Sequence, residues 1–266
     1  MRNVLLTSAL ALLFILSCVN ADSSSATPDL QGLQLVAQLP SAVPQRIKGL
    51  TYDGEKLLAA IYQGGGRYVT LDPTTLQWTV SDDDKQRRAI AKVSGATDSP
   101  GAICFVDGKL WVAGGNAQSF GRIDTHDWNV ERIFRGKQRH ENDAGQSYSS
   151  MTYDGSHLWI AWHWFKYDIP ESETQRLLKI DPDTGTTLAE YPLPPGTAPD
   201  LAHGLTWDGT QLWHAKDNRL SAIDPHTGRV TAQYKLGEIK RPSGLAWDGR
   251  ALWIIEFDGK VWRLML

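Results

Sequence analysis

Cysteine is nearly missing. Of 266 residues only Cys18 and Cys104 are cysteines, and Cys18 falls in a segment that export would remove or lipidate, so no disulfide framework holds the fold. Charge of one sign is missing too: 27 Lys and Arg face 30 Asp and Glu, which leaves no general basic field for nucleic acid. The short basic clusters Lys85-Gln86-Arg87-Arg88 and Arg135 to Arg139 read as solvated loop charge. Familiar chemical motifs are absent: no His-Glu-x-x-His, no cysteine pair at zinc spacing, no Gly-x-Ser-x-Gly and no phosphate loop. Gly64-Gly65-Gly66 lacks the Lys and the helix that a phosphate loop needs. His140-Glu141-Asn142-Asp143 is polar enough for a metal but reads equally well as a solvated loop. The sequence therefore specifies no metal and no cofactor. No stretch reads as a long amphipathic helix.

A long apolar run is also lacking. Val4 to Leu16 is too short for a comfortable membrane span and, after Arg2, suits the apolar region of a signal peptide. Two processing routes stay open. Val19-Asn20-Ala21 ahead of Asp22 suits cleavage of a signal peptide 1–21. Ile15-Leu16-Ser17-Cys18 resembles a bacterial lipobox, in which 1–17 is removed and Cys18 is acylated. Residues 22–32 then form a flexible polar tether, and 33–266 form the folded domain. Both routes place the domain outside the cytoplasm: periplasmic, secreted or lipid-anchored at the cell envelope, touching membrane only through an N-terminal lipid. Cys104, in Ile103-Cys104-Phe105, reads as a small buried hydrophobe.

What the sequence does have is repetition. The phrase Gly-Leu-Thr-aromatic-Asp-Gly-x-x-Leu-Trp recurs five times. It begins at Gly49 (with Leu57-Leu58), Gly101 (with one extra residue, ending Leu110-Trp111), Ser150, Gly204 and Gly244. Each copy predicts a β-hairpin turning at Asp-Gly. A second phrase, apolar-Asp-Pro-x-Thr-Gly, stands at Ile180–Gly185 and Ile223–Gly228, with weaker copies at Leu71–Thr75 and Ile123–Asp127. It predicts a second turn and a fourth strand. Four antiparallel strands per unit make one blade of a β-propeller. The fifth unit stops after its third strand, and Leu33 to Leu39 precede the first. The expectation is an all-β, five-bladed β-propeller whose N-terminal strand completes the last blade. A six-bladed ring would need a hidden repeat within 85–100 or 130–148.

This geometry puts both kinds of repeated turn on one face, where they read as structural. Loops between second and third strands and between blades lie on the other face, where the repeats diverge and function is the better expectation. Three groups stand out there. Trp162-His163-Trp164 opens an aromatic loop in blade three, outside the repeat, that could stack on a sugar, a ring or a peptide. Lys48, Pro100, Ser149, His203 and Ser243 precede the inner strands and ring the channel mouth, with Arg46 and Arg241 close by; such a mouth favours an anionic ligand. The second-strand ends Tyr62, Asn116, His163, Lys216, Asp217 and Glu256 point the same way, and Glu256 with Asp258 could act as a carboxylate base or bind a cation. His214 occupies a column held elsewhere by Ala59, Val112, Ile160 and Ile254 and reads as a buried, satisfied histidine.

Across 49–262 the repeated phrases resemble secreted bacterial propellers: NHL/YncE-type repeat proteins, virginiamycin B lyase-like proteins and plant-type glutaminyl cyclases (glutamine cyclotransferases). The last resemblance implies an active site at the channel mouth that cyclises N-terminal glutamine. The Asn-Glu-Leu-Glu stretch associated with that family is absent; Leu201-Ala202-His203-Gly204 or Pro242-Ser243-Gly244 stands in its place, without an acid, so no catalytic residue carries over. Two function classes follow. One is a binding module that holds a small molecule, peptide or protein on the loop-rich face, with Lys48, Trp162, His163, Trp164, His203, Arg241 and Glu256 as candidates. The other is a cyclotransferase- or lyase-like enzyme that uses Glu256 or His203 as acid/base near Arg241 and Lys48, which requires His203 and Glu256 to share a pocket.

Overall fold

The computed structural model describes residues 27–41, 43, 46–61, 65–95, 100–114, 119–136, 145–165, 174–194 and 203–266. Its strands form five four-stranded antiparallel sheets. Strand β1 (Gln34–Gln38) comes first. Blade one is β2 (Ile47–Tyr52), β3 (Leu57–Ile61), β4 (Tyr68–Leu71) and β5 (Trp78–Val80). Blade two is β6 (Pro100–Val106), β7 (Lys109–Gly114), β8 (Ser119–Asp124) and β9 (Val130–Arg135). Blade three is β10 (Gly145–Tyr153), β11 (Leu158–Phe165), β12 (Gln175–Ile180) and β13 (Thr187–Pro192). Blade four is β14 (Gly204–Trp207), β15 (Leu212–Lys216), β16 (Arg219–Ile223) and β17 (Val230–Lys235). Blade five is β18 (Pro242–Trp247), β19 (Ala251–Glu256) and β20 (Lys260–Met265). Strand β1 pairs with β20, Gln34 opposite Arg263 and Gln38 opposite Lys260, so the N-terminal strand completes blade five and closes the ring. Residues 130–135 and 145–153 belong to ordinary blade strands, and no sixth blade is present among the described residues.

Four of the five Asp-Gly turns, all but that of blade two, are held by their aspartate. In blades three, four and five, one carboxylate oxygen accepts the backbone N–H groups two and three residues on, closing the hairpin. The other oxygen accepts the indole N–H five residues on: Trp159 to Asp154 at 2.8 Å, Trp213 to Asp208 at 2.7 Å and Trp253 to Asp248 at 2.7 Å. The phrase Asp-Gly-x-x-Leu-Trp is thus a clasp, which buries a large ring while satisfying its one donor. Burial opposes ionisation of Asp154 and Asp208, but indole and backbone donors outweigh it and hold both below the usual carboxylate range.

The glycine that opens the phrase in blades one, four and five has a packing cause. A Cβ on Gly244 would lie 2.5 Å from the Leu50 nitrogen, and one on Gly204 would lie 3.0 Å from the Gly244 carbonyl carbon. Successive inner strands approach almost backbone to backbone around the channel, and a side chain there would force them apart. The core consists of the seams between blades. Leu58, Ile103 and Leu110 fill one, Trp111, Met151 and Trp162 the next, Trp159, Leu205 and Leu212 the third, and Trp213, Leu245 and Ile254 the fourth. Ile47, Val69, Trp253 and Ile255 close the ring between blades five and one. Each such side chain contributes roughly 1.5–3 kcal/mol on burial.

Two regions depart from the expectations. Lys85 to Arg88, expected as loop, begin helix α1 (Asp84–Ser94). Asp83 caps it by accepting from the Lys85 and Gln86 N–H groups, and Gly95 ends it in the left-handed region. Gln86, Ala89, Ile90 and Val93 form its buried face, the last three packed with Ile103, Val112 and Ile123 of blade two. The charges that suggested a loop occupy the opposite face. Part of the expected tether is also structured: Leu30 N–H donates to the Lys235 carbonyl, and Lys235 N–H to that of Pro28, which covers the free edge of blade four.

Candidate functional site

All five inner strands run in the same direction along the channel. Their first residues ring one mouth, and their last residues, ahead of the Asp-Gly turns, ring the other. At the first mouth four of the five strands, all but β14, carry bulges. In blades three and five the bulge falls at Ser149 and Ser243. The Ser149 hydroxyl donates to the Ala161 carbonyl and that of Ser243 to Ile255, each at 3.2 Å, so both serines serve the backbone. Where the other blades have these small residues, blade one has Lys48 on β2 and blade four has His203 just ahead of β14.

Around His203 the repeat gives way to a polar cluster. His214, on β15 opposite Leu205, places its Nε2 3.0 Å from His203 Nδ1. His163, on β11 opposite Ser147, stacks on His203 with ring centres 5.7 Å apart and planes 13° from parallel. All three rings are almost fully buried, as are Lys48 and Lys216, each 4% exposed. Burial pushes His163 down to about 3, helped by the Lys48 and Lys216 charges. Burial and then Lys216 push His214 down to about 3. His203 is held well below the ordinary histidine range by burial, then by His214, Lys216, His163 and Lys48. All three imidazoles are therefore neutral at pH 7; His163 and His203 feel both buried lysines and His214 feels Lys216. His214 Nδ1 has no hydrogen-bond partner among the described residues. A buried N–H without an acceptor is rarer than a bare lone pair. This assigns the proton of the pair to His214 Nε2, donating to His203 Nδ1, and leaves His203 with an Nε2–H donor.

The other residues singled out from the sequence divide. Lys48, His163 and His203 come together, joined by Lys216 and His214. Arg241 and Glu256 lie in a depression of about 550 Å³ on blade five with Glu238, Lys240, Phe257, Asp258 and Lys260, and none of the histidines lines it. Arg241 is exposed and lies 4.5 Å from the Phe257 ring centre. Glu256 is buried and committed: it accepts Trp262 Nε1 at 2.9 Å and the backbone N–H groups of Lys240 and Arg241 at 3.1 and 3.3 Å. Its carboxylate orders the loop into blade five, an arrangement at odds with free acid–base chemistry. Trp162, expected on an aromatic loop, instead continues β11 opposite Tyr148. It is 1% exposed and packs with Trp111 and Phe120; the strand runs further than the repeat phrase, so this ring fills a seam. Trp164 continues the same strand opposite Gln146. Cys18, Tyr62 and Asn116 lie outside the described residues, as does His140 to Asp143. The Cys104 thiol is buried and pushed up to about 12 by burial, which makes it unreactive. Among the described residues no group of three His, Cys, Asp or Glu side chains is placed to hold a metal.

The sequence picked His203 and Lys48 out by position and His163 by its departure from the repeat. His214 was visible in the same way, as one polar residue in a column of Ala, Val and Ile. Its pairing with His203 depends on the register of β14 and β15, which spacing alone does not give.

No family model and no curated protein matches the chain. Among solved structures, virginiamycin B lyase from Staphylococcus aureus is similar with a TM-score of 0.50 at 16% identity, over 88% of this chain and 99% of that one. The Pan2 WD40 domain of Neurospora crassa gives 0.47 at 14%, over 86% of this chain and 63% of that one. The computationally designed Ika8 protein gives 0.44 at 14%, over 83% of this chain and 58% of that one. The chain thus spans less than two thirds of the last two. At these identities the likeness to the lyase speaks for the fold alone, which agrees with the sheet topology: the chain is a five-bladed β-propeller.

Proposed function

We propose that this protein is an exported binding propeller that captures a carboxylate-bearing small molecule or peptide at the mouth where the inner strands begin. One observation carries the reading: two buried ammonium groups, Lys48 and Lys216, stand beside three imidazoles held neutral. An anion entering that mouth meets positive charge in a region of weak screening and a ready donor at His203 Nε2. The export signal and tether support a role outside the cytoplasm, free or lipid-anchored through Cys18.

The enzymatic alternative, of the glutamine cyclotransferase or lyase kind, rests on the His203–His214 pair, which could pass a proton between its rings. It has lost Glu256, whose oxygens are occupied.

The test is calorimetric titration of the purified protein with an acetylated dipeptide carrying a free C-terminal carboxylate, beside the same dipeptide as its amide. The acid should bind at least about tenfold more tightly, and Lys216→Met should remove that preference. Equal affinity for acid and amide, or an unchanged preference in both Lys48→Met and Lys216→Met, would sink the proposal. Release of a pyroglutamyl product from a glutaminyl peptide would favour the enzyme instead.

A further inference from the structure

The opposite mouth carries different chemistry. A cavity of about 680 Å³ opens among the Asp-Gly turns, a volume in the usual range for small-ligand sites. Every blade brings an aromatic ring to this mouth: Tyr52, Tyr153, Trp207 and Trp247 directly ahead of the turn aspartate and Phe105 two residues ahead of Asp107, with Val106 between; all five line the cavity and are half-buried. Among the described residues only two aspartates line it, Asp53 and Asp107. These are the two that the clasp releases. Blade one has Leu58 where a tryptophan would stand, so Asp53 uses one oxygen to close its turn and has no indole on the other. In blade two the turn is one residue shorter: Asp107 and Gly108 take φ of 47° and 73°, the pattern of a type I′ hairpin. Trp111 then falls four residues on instead of five, out of register for the clasp. Among the described residues the Asp107 carboxylate and the second oxygen of Asp53 have no hydrogen-bond or ion-pair partner. The local cations do not neutralise them: Lys109 is held by Asp124 and Glu131, and neither Lys56 nor Arg250 lines the cavity.

We infer that this mouth is a binding site for a small organic ammonium ion, its charge set between Asp53 and Asp107 and its carbon skeleton against the aromatic throat. Carboxylates outside a ring of aromatic faces attract an alkylammonium group by charge and by cation–π contact, and the rings shelter its apolar part. The tyrosine hydroxyls report the same field. Burial first, then Asp248 and Asp53, raise Tyr52; burial first, then Asp154 and Asp107, raise Tyr153. The site stands apart from the carboxylate site proposed above, since it lies at the other end of the inner strands and shares no residue with it.

The experiment is a calorimetric titration with phenethylammonium and with 2-phenylethanol, its neutral near-isostere, at low and at physiological salt. The ammonium ion should bind at least about tenfold more tightly than the alcohol, with a preference that shrinks as salt rises. Asp53→Asn with Asp107→Asn should abolish the preference while leaving the melting temperature near wild type, because Asn keeps the oxygen that closes the Asp53 turn. Phe105→Leu should weaken both probes together. Should the double variant fail to fold, the salt dependence of the wild-type preference decides in its place. Equal binding of ion and alcohol, a preference insensitive to salt, an unchanged preference in the folded double variant, or no binding of the ion up to the order of 10 mM would each overturn the inference.

Discussion

The two mouths of one channel are built from the same five strands, and they differ in how the repeat is broken. At the turn mouth the repeat is nearly intact: five aromatic rings and five aspartates, three of them clasped to tryptophan. Its chemistry comes from omission, since Leu58 and the shortened turn of blade two leave two carboxylates uncommitted. At the strand-start mouth the repeat is overwritten. Blades one, three and four place Lys48, His163, His203, His214 and Lys216 there, where sister blades carry Pro100, Ser149 and Ser243 in the column of Lys48 and His203 and Ala, Val and Ile in that of His214. A repetitive scaffold thus acquires an acidic and a basic opening without any change in its sheets, and both are found by asking where the repeat fails. Fold and site are separable here because the blades share packing rules and the mouths do not.

The largest expected effect that separates the two mouths is on acid stability. Folded His163 and His214 titrate at about 3, against about 6.5 when unfolded. Above pH 6.5 neither state holds the proton. Between 6.5 and 3 the unfolded chain takes it and the folded chain does not, so stability is lost as pH falls through that window. Each histidine removes roughly 1.4 kcal/mol per pH unit, approaching about 2 kcal/mol by pH 5. Asp154 and Asp208, held below the usual carboxylate range, are ionised in folded and unfolded chain alike between pH 7 and pH 5, so the turn mouth is spared there. Urea unfolding at pH 7 and pH 5 measures the loss. His214→Ile, which restores the residue type of its column, should take one histidine's share out of the pH slope. An unchanged slope in that variant would mean that the cluster is not buried and neutral.

A smaller effect sharpens the comparison within the turn mouth itself. Asp248→Ala removes the turn closure and strands the indole N–H of Trp253, at a cost of about 2–4 kcal/mol. Asp53→Ala removes the closure alone, about 1 kcal/mol. Asp107→Asn, which keeps a residue that tolerates the left-handed backbone at this position, removes no internal contact and should fall within about 0.5 kcal/mol. That ordering, read from urea midpoints at constant m-value, is the signature of aspartates divided between holding the fold and facing the cavity. Equal costs at Asp248 and Asp107 would contradict the division.

The fold was legible because its signal is repeated: five Asp-Gly turns and a spare strand at the N-terminus fix the number of blades and the closure. Helix α1 was not, because Lys85, Gln86, Arg87 and Arg88 are consecutive polar residues and its buried stripe, Ala89, Ile90 and Val93, is short. Trp162 was placed wrongly for a related reason: the repeat phrase ends at Trp159, and nothing in the spacing shows how far β11 continues as a paired strand beyond it. Of the candidate site, position along the strands gave Lys48 and His203. The clasp was hidden, since Trp159, Trp213 and Trp253 look like ordinary core until their N–H groups are followed to Asp154, Asp208 and Asp248. Without the clasp, Asp53 and Asp107 look like any other turn aspartates.

The smallest expected effect concerns which cations belong to the strand-start mouth. Arg241 was grouped with Lys48 by its place in the chain, but it is exposed and packs on Phe257 over a depression of its own. An exposed cation over an aromatic ring contributes about 0.5–1 kcal/mol, so Arg241→Ala should lower stability by no more than that. It should leave the preference for the dipeptide acid over its amide unchanged, while Lys216→Met removes it. Arg241 is solvated and screened beyond about 8 Å at physiological salt, whereas Lys48 and Lys216 act from within the protein, where screening is weak. If Arg241→Ala erased the acid preference as fully as Lys216→Met, the anion would be held on blade five, and the division between the histidine cluster and the Glu256 depression would fail.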